Sequence, residues 1–304
     1  MDRLDAMAVL LAVVEDGSLS AAARKLRIPL ATVSRKIADL EAHLRAKLML
    51  RTRRGTELTE AGLTYLEASR RILEQVEEAE RIAAGEYSAP RGELRITAST
   101  LFGQRHVLPI ALAFLEQNPE ISLKLHLEDR QINLADEHID IAVRIGHLDA
   151  GGLIAVKVGE VRRVICASPA YLNRRGRPRT PEELGDHDGI SFRGFVTSPE
   201  WRYRGDNPAL GEEPKARLSV NSTIAAIDAA EAGFGLVRVL SYQVEEQLRQ
   251  GTLEAVLEKF APAPLPVSLA YAEGGLRSLK VRAFLDWATP RLRSRLAARG
   301  PDRP

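Results

Sequence analysis

The sequence predicts a multidomain α+β protein, and three observations predict it. Apolar residues stepping by three and four mark short helices before residue 45. A stretch from Glu60 to Glu86 runs without proline, with Gly62 near its start and Gly85 next to its end. Beyond residue 92, strand and helix patterns alternate to the end of the chain. A length of 304 residues leaves room for more than one domain. The expected division is a small helical head over 1–59, a linking helix and hinge over 60–91, and an α/β domain over 92–304.

The composition, 45% apolar and 28% charged, is that of an ordinary folded chain. The early apolar run Ala6–Val14 lies between Asp2, Asp5 and Glu15-Asp16 without a small-x-small cleavage site, so it reads as a helix rather than a leader. No apolar run approaches the length of a membrane span. Cys166 is the only cysteine, which excludes an intrachain disulfide and suits a reducing compartment. It stands in the apolar run Val164-Ile165-Cys166-Ala167, where structural burial is the expected role. The net charge is only +2, yet ten Lys/Arg between Arg24 and Arg54 face just Asp39 and Glu41. A basic block in an otherwise acidic chain is the footprint of a polyanion contact.

The first helix is marked by Leu4, Met7, Leu11 and Val14, and Gly17 stops it. Ser18 or Ser20 caps the next, whose Ala21-Ala22-Ala23 face permits close helix approach. After Pro29, the stripe Leu30, Val33, Ile37, Leu40 and Leu44 gives a third helix one apolar side. The other side carries Ala31, Thr32, Ser34, Arg35 and Lys36, small and hydrogen-bonding residues beside cations, which suit a helix inserted in a major groove. Residues 48–59 read as two short strands about a basic glycine turn. This is a wing whose Arg51, Arg53 and Arg54 are placed for phosphates or the minor groove.

Ordered matches over these sixty residues resemble the LysR-type transcriptional regulators. They are Leu10, Val13, Gly17-Ser18-Leu19-Ser20, Ala22-Ala23, Leu26, Val33-Ser34-Arg35-Lys36-Ile37, Leu40-Glu41, Leu48, Leu50, Arg51, Arg54, Leu58-Thr59 and Ala61-Gly62. The resemblance implies a winged helix-turn-helix head whose third helix reads operator DNA. Ser18, Ser20, Arg27, Pro29, Ala31, Thr32, Ser34, Arg35, Lys36, Arg51, Arg53 and Arg54 are the expected DNA-contacting set. One residue departs from the family: Arg27 stands where a glycine is usual. Either the turn differs locally or Arg27 accepts left-handed strain of about 1–2 kcal/mol in exchange for a phosphate contact.

In the long helix, Tyr65, Ser69, Ile72, Val76, Ala79 and Ala83 fall on a three-four spacing, a seam shorter than three heptads. The residues alone allow packing on the helix's own domain; the resemblance implies a homo-oligomer, dimer or tetramer, joined through Tyr65, Ile72 and Val76. Beyond residue 92, strands are expected at Leu94–Ala98, Ile121–Leu127, Ile139–Ile145, Ala216–Val220, Leu236–Leu240 and Val267–Tyr271. One or two more lie within Leu153–Ala167. Helices are expected at Thr100–Gln117, Ser222–Ala232, Tyr242–Arg249 and Leu279–Leu296. Stretches such as Asp140–Gly146 and Gly233-Phe234-Gly235-Leu236 resemble the family's effector domain. That implies a two-lobed fold like periplasmic binding proteins, with lobe I over about 92–162 and 266–304 and lobe II over about 163–265.

Two helix starts bear hydroxyls at the carboxyl ends of strands, Ser99-Thr100 and Ser222-Thr223, and Arg144 with His147 ends a third strand. Open α/β sheets bind ligands at such ends, and free N–H groups there favour a carboxylate. These six are the expected effector contacts. The family's usual Leu-Pro after the Gly-x-Gly strand is absent, and Val237-Arg238-Val239-Leu240-Ser241-Tyr242 stands instead; Arg238 either points into the cleft or, as expected of an arginine, lies at the strand edge on the surface. No dinucleotide loop, P-loop or nucleophile elbow is present, and the six histidines never pair at ligand spacing, so neither an enzyme nor a cofactor is expected. A nucleoid-type architectural protein would fit the basic block but has no use for a large α/β domain. The expected partners are double-stranded DNA, a small carboxylate or aromatic effector, further copies of the chain and, for an activator, RNA polymerase. The expected place is the cytoplasm at the nucleoid, with no membrane partner.

Overall fold

The computed structural model describes residues 2–52, 55–83, 89–129, 139–147, 152–192, 214–273 and 278–297. It divides into two compact units, Met1–Ser88 and Ala89–Pro304. The linking helix groups with the first unit rather than standing between the two.

In the first unit α1 (Arg3–Glu15) starts on Asp2, whose carboxylate accepts from Leu4 N and Asp5 N at 3.0 and 3.3 Å. The early apolar run is core: Ala6, Val9, Leu10, Ala12 and Val13 are buried with Ala22 and Ala23 of α2 (Leu19–Leu26) and Val33, Ile37 and Leu40 of α3 (Leu30–Leu44). Leu30, expected on that stripe, is 46% exposed, because it lies in the first turn beyond the edge of the contact. The hairpin β1 (Met49–Thr52) and β2 (Gly55–Leu58) pairs in antiparallel register from Met49↔Leu58 to Thr52↔Gly55. The last helix of the unit, α4, is described over Glu60–Ala83; residues 84–86, expected to continue it, lie outside the described residues.

The second unit holds two five-stranded sheets. The first has the order β4-β3-β5-β12-β6, with β3 (Gly92–Ala98), β4 (Ile121–Leu127) and β5 (Ile141–Ile145) mutually parallel. β12 (Leu265–Ala272) runs antiparallel to both β5 and β6 (Leu153–Val161). Its core includes Leu94, Ile96, Phe114 and Phe284, the last from α10 (Leu279–Ala297). The second sheet has the order β11-β7-β10-β8-β9. Its strands are β7 (Arg163–Ala167), β8 (Asp188–Phe192), β9 (Lys215–Val220), β10 (Leu236–Leu240) and β11 (Glu254–Val256). The helices α7 (Pro169–Arg175), α8 (Thr223–Glu231) and α9 (Glu245–Gln250) complete that half. The chain crosses between the sheets twice, at Arg162 and again between β11 and β12.

The helix expected over Thr100–Gln117 is built in three pieces: α5 (Thr100–Phe102), a π-helical turn at Gly103–Val107, and α6 (Leu108–Gln117). The wide turn begins at Gly103, where an added Cβ would have to displace the Leu127 side chain of β4 and would crowd Ala98 Cβ at 3.1 Å. The expected Tyr242–Arg249 helix is a 3-10 turn, Ser241–Gln243, followed by α9, which ends on the left-handed Gly251. Strand β8 had no counterpart in the sequence expectations.

Candidate functional site

Helix α3 is held from below by its apolar stripe, leaving Ala31 and Arg35 exposed one turn apart and Thr32 and Ser34 half-buried at the flanks. Ser18 caps α2, its Oγ accepting from Ala21 N at 3.1 Å, while Ser20 lies exposed in the first turn. Pro29 stands at the cap position of α3, and its side chain has no atom to accept a capping bond from the first-turn N–H groups. Lys36 turns away from the exposed face and bonds the Asp5 carboxylate of α1, so it joins two helices rather than offering a free cation.

The turn between α2 and α3 settles the alternative at Arg27. Its backbone is left-handed, φ 55° and ψ 39°. Arg27 N–H donates to Arg24 O at 3.2 Å and Ile28 N–H to Ala23 O at 3.1 Å, the paired bonds of a Schellman ending. The chain thus keeps the tight turn and accepts the strain. Arg45, at the end of α3, does the same with φ 53°. Both arginines are exposed beside the basic face.

The wing is anchored by a residue whose task the sequence hid. Glu41 of α3 is buried, and its carboxylate accepts from Leu48 N at 2.9 Å, Met49 N at 3.2 Å and Lys47 Nζ at 2.6 Å. Burial pushes its carboxyl up, but the lysine and the two amides outweigh that and hold it below the usual carboxylate range. On the other side, Thr59 N–H donates to Leu48 O at 3.0 Å, and Thr59 Oγ1 donates to Lys47 O at 2.6 Å. A Cβ on Gly62 would stand 2.0 Å from that same Leu48 oxygen. The Leu58-Thr59-x-x-Gly62 spacing is therefore the joint between wing and α4. The side chain of Arg51 and the residues Arg53 and Arg54 lie outside the described residues.

Along α4 the expected seam splits. Tyr65 and Leu66 pack against the three-helix core, Tyr65 staying half-buried, and Ser69 is fully buried. Ile72 is 39% exposed and Val76 half-buried.

In the second unit, parallel pairing of β3 with β4 and β5 places Ser99-Thr100, Asp129 and Arg144–His147 along one carboxyl edge. The Thr100 N–H is already taken, donating to Asp129 Oδ1 at 3.0 Å. The helix start expected to hold a ligand carboxylate thus holds the protein's own, which corrects Thr100 as a free anion donor. Ser99 Oγ is shielded from solvent and sits near the Tyr242 hydroxyl without closing a hydrogen bond of good geometry. Thr97, two residues back on the same face of β3, is fully buried with its Oγ1 likewise unbonded. Tyr242, whose phenol burial pushes up to about 12, packs edge-on against Phe102 at 5.2 Å. Arg105 Nη1 donates to Tyr242 O at 2.7 Å. Arg144 is half-buried and His147 exposed. Ser222 caps α8 through Ala225 N at 3.4 Å, and Thr223 is buried. Both follow β9, which β8 separates from β10, so they lie two strand spacings from the Tyr242 corner.

Two expectations in this unit are decided by burial. Arg238 is not a surface arginine: it sits on the central strand β10 at 8% exposure. Cys166 is fully buried, which pushes its thiol up to about 12 and leaves it a structural residue.

Residues 4–63 match the family model for the bacterial regulatory helix-turn-helix protein, lysR family, and residues 88–293 match the LysR substrate binding domain. The chain belongs to the LysR family. An HTH-type transcriptional regulator of Xanthomonas campestris is 36% identical to it over 284 residues, covering 92% of this chain and 83% of that one. Among solved structures, full-length CrgA, a LysR-type transcriptional regulator from Neisseria meningitidis, matches with TM-score 0.58 and 30% identity. It covers 95% of this chain and 98% of its own. The full-length Vibrio cholerae virulence activator AphB matches with TM-score 0.58 and 28% identity over 94% and 98%. As a LysR-type regulator the chain is a DNA-binding transcription factor with an effector-binding domain, working as an oligomer, and is not an enzyme.

Proposed function

We propose that this LysR-type regulator reads its operator by placing Ala31, Thr32, Ser34 and Arg35 of α3 against base edges in the major groove. Arg27, Pro29, Ser20 and the wing arginines Arg51, Arg53 and Arg54 lie along phosphates. The exposed face of α3 carries this reading: two small polar flanks and one long cation stand out from a helix otherwise fixed by its core. Ser18 and Lys36 act on DNA only through the helices they hold in place.

The effector is a small carboxylate or aromatic molecule at the carboxyl edge of the first sheet. The shielded, unbonded Ser99 Oγ and the half-buried Arg144 on the adjacent parallel strand support this, with His147 at the mouth. Ser222 and Thr223 form the facing wall. Two copies join along α4 beyond its own core, at Ile72 and Val76, and an activator would engage RNA polymerase as its further partner. The working place is the cytoplasm, at the nucleoid.

The test selects a high-affinity duplex from a random pool, then measures it beside a scrambled duplex by fluorescence anisotropy. Arg35→Ala and Ser34→Ala are expected to lose about 1–3 kcal/mol on the selected site and little on the scrambled one. Equal losses on both duplexes would remove α3 from base reading.

A further inference from the structure

The buried arginine on β10 opens onto a pocket that shares no residue with the proposed effector edge. Arg238 pairs across the ladder with Ile165, and Ile165 in turn with Val256. Directly opposed residues point to one face of a sheet, so these three lie together, with Arg163 two residues along β7 on the same side. The other face is the apolar packing of Cys166, Val237 and Val239 against Ala226 and Ile227 of α8.

On the arginine face the sheet is incompletely covered. Among the described residues, a pocket of about 70 Å³, open to solvent on one side, is bounded by Arg162, Arg163 and Arg238, with Glu258 and the apolar side chains of Val256 and Phe260. Burying a guanidinium on a central strand is costly unless its donors are engaged. Arg163 and Arg238 each make contacts within the protein. A guanidinium has five N–H donors in a planar fork and can hold an internal partner and a planar carboxylate at once. The wall opposite is formed as the chain leaves β11 through Leu257, whose φ of 57° is left-handed. A leucine there is strained, and the strain turns residues 258–262 back over the sheet face.

We infer that this pocket is a second small-molecule site, for a monocarboxylate with a short apolar or aromatic body: the carboxylate on Arg238 and Arg163, the body against Val256 and Phe260. The space is small and partly open, which limits the occupant to a few ring or chain atoms beyond its carboxylate. Both chain crossings between the sheets, at Arg162 and at residues 257–264, contribute to its wall. An occupant therefore touches the hinge of the effector domain directly.

Para-bromobenzoate is the probe, with para-bromobenzamide as its uncharged counterpart. Calorimetric titration of the full chain should give saturable binding of the acid and none of the amide. Arg238→Gln and Arg163→Gln should each weaken it about ten- to a hundredfold, the range for one lost bond to a charged group. Arg163 is only half-buried, so its variant keeps the test valid if Arg238→Gln fails to fold. Ser99→Ala should leave this binding unchanged. A crystal soaked with the acid should show bromine anomalous signal beside Phe260. Absence of saturable binding at millimolar acid would overturn the inference. So would affinity that survives Arg163→Gln, or bromine found only at the Ser99 edge. That last result would leave the proposed effector edge standing.

Discussion

The wing joint of the first unit and the carboxyl edge of the first sheet treat their buried polar groups differently. In the DNA-binding unit, Glu41 closes three bonds, Thr59 closes two and the Leu48 carbonyl is met from two sides, so the wing and α3 form one preassembled surface. In the effector unit, Thr97 and Ser99 hold hydroxyls away from water without good bonds, and Arg238 faces a partly filled space. An unmade bond in a buried place costs about 1–3 kcal/mol. The difference teaches where each obtains its last interactions. The wing joint completes them within the chain; the carboxyl edge leaves some for a ligand.

The strongest way to break the preassembled surface is Gly62→Ala. The new methyl would stand 2.0 Å from the Leu48 oxygen, which itself is bonded to Thr59 N–H, so backbone must move. We expect a loss of about 3 kcal/mol in the N-terminal unit by urea unfolding. DNA affinity should fall with it, since wing and α4 separate. A variant as stable as the parent would show that the joint is looser than its geometry.

Glu41→Gln comes next, at about 2 kcal/mol at neutral pH, because charge-assisted bonds to Lys47 and two amides become neutral ones. The sign of its pH dependence follows from the lowered carboxyl. The folded value lies below the unfolded one near 4.5, so the contribution is complete above about that pH and fades as pH falls through the folded value. Urea midpoints of parent and variant should therefore converge under acid. A gap that stays constant down to that range would assign the effect to packing instead.

The smallest effect sharpens the comparison. Arg27→Gly relieves left-handed strain and should stabilise the unit by about 1 kcal/mol, read as a rise in melting temperature. It should nonetheless weaken selected and scrambled DNA alike, lowering the salt slope by about one. Stabilisation without any loss of DNA binding would leave the arginine without a reason.

Much of the N-terminal unit was legible because its helices bury one stripe each and their spacing shows it. The exceptions, Leu4 at 40% and Leu30 at 46% exposure, each lie in a first turn that overruns its contact, and no periodicity marks that edge. The role of Glu41 was invisible because its partners are backbone amides seven and eight residues on, which carry no side-chain signal. In the effector unit the strands with clean alternation, β3 and β4, stood out. β8 did not: Asp188-Gly189-Ile190-Ser191-Phe192 has too few apolar residues to read as a strand, and it is a strand because β9 and β10 pair with it on both sides. Arg238 was misplaced for the related reason that a single strand's sequence does not say whether it lies at the centre or the edge of a sheet. The π-helical turn at Gly103 and the occupation of Thr100 N–H by Asp129 both depend on neighbours far along the chain.

The two chain crossings between the sheets have a mechanical meaning. A body attached to another through two separated points keeps one easy motion, rotation about the line that joins them. Arg162 and the segment 257–264 fix such an axis in this domain. Whatever binds beside it acts with a short lever arm, and a displacement of a fraction of an ångström near the axis becomes a larger sweep at the far rim of each sheet.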